Sequence, residues 1–300
     1  MPDIRQSSQY AKYIESIGWQ VEKIGEGYAF IKKFPLLGSL IKVQRIKPPI
    51  PFEKIEKLAK KYHAFQIILE PALSKQHKNS QSPQPSQDPR TPHHYKPLTS
   101  PFIPTKTLLL DLKQSEKAIF ASFSKSKRRD IWIAERHNLR IEEGTPEQFY
   151  KLKKKFLLRK RILPFGTKRE IFPLCQAFGN NAKILIAYLS CPSCSPDPSC
   201  PPKPLAGLLL LFHQRTAYYW QAATTPTGNK LLAPTLLLWE AIKIAKKQGY
   251  QTFDFEGIYD ERFPQNRSWL GFTHFKQGFG GKEVEFPPPL SSSKFPLNII

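Results

Sequence analysis

Two proline-rich stretches decide what this chain can fold into. From residue 71 to 104 it is rich in Pro, Ser, Gln and His, with hardly an aliphatic side chain between Leu73 and Leu98. Such a segment cannot bury a core and reads as a flexible connection. The second stretch, 190–204, sets Cys191, Cys194 and Cys200 among prolines between two strand-like runs, the pattern of an elongated hairpin loop. The 300 residues thus divide into a first segment, 1–70, the 71–104 linker, a larger segment, 105–290, and a tail, 291–300. Forty per cent hydrophobic residues suffice for packed cores, so wholesale disorder is excluded. No repeat of solenoid length is visible. The longest apolar run, 205–212, falls far short of the ~20 residues a spanning helix needs, and the first residues lack the apolar core of a signal peptide. A cytoplasmic protein is expected.

Periodicity fills in the two segments. In the first, a helix is expected over about 9–17, strands over 27–32 and 40–46, a helix over 52–62 and a strand over 65–69. Ile55, Leu58, Ala59 and Tyr62 fall at i, i+3, i+4 and i+7, one face of a helix. The second opens with a strand over 107–112, a short helix at Ser115-Glu116 and a basic helix over 125–137 with Asn138 as its cap. Thr145-Pro146-Glu147-Gln148 has capping-box spacing and starts a helix to about 160. Strands over 183–189, 205–212 and 216–222 form a meander. A helix from Pro234 to Gln248, a strand over 250–255 and an aromatic, glycine-rich turn over 271–281 follow. The class is mixed α/β, a meander feeding a β-α-β unit.

Charge narrows the partners. The formal charge is +22, and 125–169 alone holds fifteen Lys or Arg against five acids. Such a run is often only a solvated helix face. Its density at Lys125, Lys127, Arg128 and Arg129 also suits a surface that tracks phosphates of RNA, a nucleotide or a lipid headgroup. Cys191 and Cys194 have CxxC spacing, with Cys200, Cys175 or His213 as further metal ligands. Only one pair exists, however, where structural zinc uses two, and an unliganded loop is the plainer reading. The chain contains no HExxH, no GxSxG and no GxxxxGK[ST], which leaves zinc-protease, serine-hydrolase and P-loop chemistry without a motif.

The most informative region is the C-terminal third. Ala217-Tyr218-Tyr219-Trp220-Gln221-Ala222-Ala223 precedes Leu232-Ala233-Pro234, Phe253-Asp254-Phe255-Glu256-Gly257-Ile258, and finally Phe275-Lys276-Gln277-Gly278-Phe279. This is strand, helix N-terminus, strand, and an aromatic turn carrying one lysine. A helix N-terminus beside strand ends can receive phosphates on its free N–H groups. A lysine held between Phe275 and Phe279 would be partly desolvated and electrostatically strong. The plainer reading is a surface lysine flanked by core aromatics.

Together these segments resemble the Fem family, tRNA-dependent aminoacyltransferases of peptidoglycan bridge formation and double-domain relatives of the GNAT acyltransferases. The resemblance adds Gln9-Tyr10-Ala11-Lys12, Gly18-Trp19, Ile68-Leu69-Glu70-Pro71, Leu110-Asp111-Leu112 and Ser126-Lys127-Arg128-Arg129-Asp130-Ile131 with Ala134-Glu135. It implies two GNAT-like subdomains, the first reduced, and no long coiled-coil arm, since nothing between 148 and 183 is long enough. It implies attack by a stem-peptide amine on the ester of an aminoacyl-tRNA, without cofactor or metal. Lys276 would steady the oxyanion, with Phe275 and Phe279 holding it, and Glu70 would accept a proton or orient the amine. Lys12 and Arg161 are the matches for the precursor's diphosphate, and Thr235 and Asp254 for further substrate contacts. The expected partners are aminoacyl-tRNA, a UDP-linked or lipid-linked muramyl peptide and, if the latter, peripheral contact with an anionic membrane. Thr235 stands where the family often has an aromatic. The [RQ]xxGx[GA] loop of coenzyme A-dependent GNAT proteins is missing before Pro234. An acyl-thioester N-acyltransferase and a non-catalytic RNA- or membrane-binding protein remain alternatives.

Overall fold

A computed structural model describes residues 3–73, 91–189 and 203–293. The chain forms two compact units. One is drawn from Met1–Thr107, Tyr259–Trp269 and Val284–Ile300, the other from Leu108–Ile258 and Leu270–Glu283. Residues 74–90 of the proline-rich connection, and the 190–202 part of the cysteine loop, lie outside the described residues.

In the first unit, helix α1 (Ser8–Ser16) starts where the Ser7 hydroxyl accepts from the Tyr10 N–H. Strands β1 (Gln20–Ile24), β2 (Gly27–Phe34) and β3 (Gly38–Ile46) run antiparallel in sequence. Helix α2 (Phe52–Lys61) then crosses over, so β4 (Ala64–Pro71) pairs parallel to β3. Its Ile55 and Ala59 are buried with Ile41, Val43 and Leu69 in one core, the face that the 3.6 period predicts. Gly38 has φ +96, and a Cβ there would lie 2.2 Å from the His63 carbonyl oxygen, so only glycine fits this approach. The short β5 (Lys96–Pro97) and β13 (Leu290–Ser293) complete the sheet in the order β1-β2-β3-β4-β13-β5.

The 259–269 segment is fixed within this unit by Asp260. That carboxylate accepts from Thr105 Oγ1 at 2.5 Å and from Arg262 Nη2 at 2.6 Å, while Arg262 also donates to the carbonyls of Thr105 and Phe286. Burial opposes ionisation of Asp260, but the bonds from Arg262 and Thr105 outweigh it and hold the carboxyl below its ordinary range. Tyr95, Leu98 and Ile103 are buried, so the end of the proline-rich stretch is packed structure.

The second unit opens with β6 (Lys106–Asp111), α3 (Glu116–Ser122), α4 (Lys125–Glu135), β7 (Leu139–Glu143), α5 (Pro146–Arg159) and α6 (Thr167–Phe178). The meander β8 (Ala182–Leu189), β9 (Pro204–His213) and β10 (Thr216–Thr224) follows. Then come α7 (Pro226–Lys230), α8 (Ala233–Lys247), β11 (Thr252–Asp254), α9 (Leu270–Gln277) and β12 (Lys282–Glu285). The sheet order is β12-β6-β11-β10-β9-β8-β7. Strand β9 reads Pro-Leu-Ala-Gly-Leu-Leu-Leu-Leu-Phe-His and is buried along nearly its whole length, as a central strand covered on both faces must be. At Gly207 a Cβ would meet Leu152 at 3.0 Å and Phe149 at 3.2 Å, which shows how closely α5 lies on one face. The apolar side chains of α8 cover the core with those of α3 and α4.

The capping box of α5 forms as its spacing predicts. Thr145 Oγ1 accepts from the Gln148 N–H at 3.2 Å and Gln148 Oε1 accepts from the Thr145 N–H at 2.8 Å. Thr145→Ala should therefore cost about 1 kcal/mol of unfolding free energy, read by denaturant titration. Two sequence readings need correction. The 271–281 region is a helix, α9, followed by Gly280 and Gly281 at positive φ. Its glycines read as breakers, although Phe272, Phe275, Lys276 and Phe279 follow helical spacing. Strands β1 and β7 and helix α6 were absent from the pattern. The two strands are exposed sheet edges with weak apolar alternation, and α6 carries Pro173 inside it.

Candidate active site

The second unit has a fork in its sheet. β10 pairs parallel with β11 only over Thr216–Tyr218, while on its other side it pairs with β9 as far as Thr224. A register shift between Tyr219 and Gln221 marks the point of divergence. Beyond it, no described strand takes the outer edge of β10. Two cations of α5 do so instead. Lys153 Nζ donates to the Ala222 carbonyl at 3.1 Å, and Arg159 Nη2 donates to the Thr224 carbonyl at 2.9 Å. Burial pushes the Lys153 ammonium below its ordinary pKa, with the Glu170 carboxylate acting against that shift. Gln221 Oε1, on the same strand, is buried without a hydrogen-bond partner among the described residues.

Lys276 stands at this fork. Helix α9 carries it, and its Nζ donates to the carbonyls of Gly257 at 2.7 Å and Glu256 at 3.2 Å, just past the end of β11. The chain turns there because Glu256 adopts φ +54, with its N–H held by the Asp254 carboxylate at 2.8 Å. The ammonium also lies 4.9 Å from the centre of the Phe272 ring and 5.6 Å from that of Tyr219 on β10. Only 9% of Lys276 is exposed. Desolvation brings its pKa down to about 8, against the pull of the Glu256 and Asp254 carboxylates. Two of its three N–H bonds are used; the third has no acceptor among the described residues.

The neighbouring predicted residues divide by role. Phe279 is fully buried and packs edge-on against Phe275 and Phe123, fixing the end of α9 to the core. Asp254 ends β11 and shapes the turn whose carbonyls hold Lys276. Thr235 is buried in the first turn of α8. Lys127 is not on an open phosphate-tracking face. Its ammonium sits 4.6 Å from the Phe275 ring centre and 3.7 Å from Asp130, and a Cβ at Gly278 would lie 2.9 Å from its Cε. Burial therefore lowers its pKa, with Asp130 opposing. Lys125 and Arg129 are exposed, while Arg128 donates to the Ala121 carbonyl at 3.2 Å. Arg161 is exposed just past α5, with φ +59.

Glu70 and Lys12 belong to the first unit. Lys12 is exposed on α1. Glu70 is 2% exposed, at the end of β4. Its Oε1 accepts the N–H groups of Phe102 and Ile103 at 3.0 and 2.9 Å, and its Oε2 accepts from Gln44 at 3.2 Å. Burial pushes its carboxyl up, against those hydrogen bonds and Arg45. Three donors already engage this carboxylate, two on Oε1 and one on Oε2, which leaves about one of its four lone-pair sites, on Oε2, to accept a proton. No group of metal-ligating side chains occurs among the described residues. Cys175 is a free thiol that burial pushes up to about 11, and Cys191, Cys194 and Cys200 lie outside the described residues.

Sequence reasoning missed Tyr219, Gln221, Lys153 and Arg159. The two α5 cations had no distinguishing signal, standing among seven other Lys or Arg between 151 and 169.

A sheet forked at its parallel junction, with helices on both faces, is a GNAT-like fold, and solved structures share it. The tandem GNAT protein of the clavulanic acid biosynthesis pathway is 11% identical, with TM-score 0.50 over 92% of this chain and 82% of that one. FemX is 15% identical, with TM-score 0.74 over 97% of this chain and 92% of FemX. L-PGS from Bacillus licheniformis is 13% identical, with TM-score 0.57 over 95% and 88%. The FemAB family model matches residues 199–288, the segment holding the fork and Lys276. Residues 199–288 are thus similar to the FemAB family, and the chain shares its fold with FemX. No curated protein sequence matches it.

Proposed function

We propose that this chain is an aminoacyltransferase that moves an amino acid from aminoacyl-tRNA to the stem peptide of a peptidoglycan precursor. The observation that carries the reading is Lys276, a desolvated ammonium at the sheet fork, inside the segment that the FemAB model matches and with one N–H left over. The acceptor amine attacks the ester carbonyl and forms the new C–N bond. The carbonyl oxygen becomes an oxyanion, and Lys276 donates its third N–H to it. The tetrahedral carbon then expels the ribose hydroxyl of the tRNA, which takes up the proton that the amine gives away. The chemistry asks for orientation and charge stabilisation, not for a cofactor. Phe275 and Phe279 act indirectly, fastening the end of α9 to the core, while Phe272 and Tyr219 are the rings beside the Lys276 ammonium. Glu70, Lys12, Arg161, Asp254 and Thr235 are proposed to serve the acceptor, and Lys125, Arg128 and Arg129 the tRNA. The proposed reaction is cytoplasmic.

The test is transfer of a labelled amino acid from charged tRNA to a muramyl-pentapeptide precursor, with acyl-CoA as a parallel donor. Labelled product from aminoacyl-tRNA alone supports the reading. Product from acyl-CoA alone, or from neither donor with any tRNA, overturns it.

A further inference from the structure

The connection between α5 and α6 has an unusual surface. Leu158, Ile162, Leu163 and Phe165 are all exposed, the last three by 53%, 65% and 84%. Eleven large apolar side chains are exposed among the described residues, and four of them fall within these eight positions. Isolated exposed apolar residues need no explanation, but four within eight positions do. Its charge is equally one-sided. Residues 151–169 hold nine Lys or Arg and no acid. Lys154, Lys155, Arg159, Lys160, Arg161, Lys168 and Arg169 are exposed on either side of the apolar set.

We propose that the 158–165 connection is a membrane-docking surface that inserts Ile162, Leu163 and Phe165 among the headgroups of an anionic bilayer, with the flanking cations paired to lipid phosphates. RNA would use the cations and could stack a base on Phe165, but it offers no apolar medium for Ile162 and Leu163. A bilayer interface takes both, and lasting attachment generally needs both an apolar and an electrostatic signal. The docking itself does not depend on the aminoacyl-transfer reading. Only its purpose does, which would be to bring the second unit to a lipid-linked acceptor.

The experiment is co-sedimentation with vesicles of phosphatidylglycerol and phosphatidylcholine, and with phosphatidylcholine alone. The protein should bind the anionic vesicles and not the neutral ones. Leu163→Asp with Phe165→Asp should weaken that binding at least tenfold with an unchanged Tm, and Lys154→Glu with Lys155→Glu should also weaken it. Transfer to a soluble, lipid-free acceptor should be unaltered by Leu163→Asp with Phe165→Asp. No binding to anionic vesicles overturns the proposal. So does loss on charge reversal without loss in the Asp double variant, which would mark simple adsorption. Loss of tRNA affinity in the Asp double variant with vesicle binding intact would assign the loop to RNA instead. Failure of all transfer would sink the functional reading and leave vesicle binding to stand by itself.

Discussion

Lys276→Ala should lower the rate of transfer by about 10²-fold or more, which is roughly 2.7 kcal/mol of transition-state stabilisation, while leaving the circular dichroism spectrum unchanged. The reason is geometric. The ammonium is fixed by two carbonyls and faces two aromatic rings, so it pays little to reorganise when negative charge appears. Its position also sets a pH dependence. The charged form is the one needed, and desolvation has brought the pKa to about 8. The contribution of Lys276 is therefore complete below that value and fades as pH rises through it. The acceptor amine loses its own proton in the alkaline range, which raises the rate, so the effect is read against Lys276→Arg. A guanidinium stays charged throughout. The ratio of wild-type to Lys276→Arg kcat should fall between pH 7 and 10. A ratio that climbs instead would make Lys276 a base, and full activity in Lys276→Ala would remove it from the mechanism.

The sequence exposes local features better than distant ones. The capping box of α5, the amphipathic face of α2 and the apolar run of β9 are each written in adjacent residues and appear as expected. The return of 259–269 and 284–293 to the first unit is not. It depends on Leu290–Ser293 pairing with Gln66–Leu69 and on Asp260 meeting Thr105, contacts that join residues more than 150 positions apart. The candidate site shows the same division. Lys276 stands out because aromatics flank it within a known series of motifs. Its two carbonyl partners do not, because any residue can supply a carbonyl and only the positive φ of Glu256 turns these two inward. Lys127 misleads for a related reason. A lysine in a basic run looks like its neighbours until the fold lays one of them across Phe275.

Glu70→Ala should destabilise the protein by roughly 3 kcal/mol or more, the cost of leaving buried donors without an acceptor. The backbone N–H groups of Phe102 and Ile103 and the amide of Gln44 all converge on this carboxylate. Alanine supplies none of these bonds and leaves a void at the end of β4. Glu70→Gln separates stability from chemistry. Its amide oxygen can still accept from Phe102 and Ile103, whereas its NH₂ would face the NH₂ of Gln44, so the expected loss is about 1 kcal/mol. A glutamine cannot accept a substrate proton. If Glu70 is the proton acceptor, Glu70→Gln should retain most of its stability and lose most of its transfer activity, with kcat reduced more than KM is raised. If the carboxylate serves only to fasten residues 102–103 to the sheet, Glu70→Gln should keep near-normal kcat, and its Tm should fall by only a few degrees. Denaturant titration and single-turnover kinetics on the same two variants decide between these roles, because the bonds that Glu70 makes can be kept while its basicity is taken away.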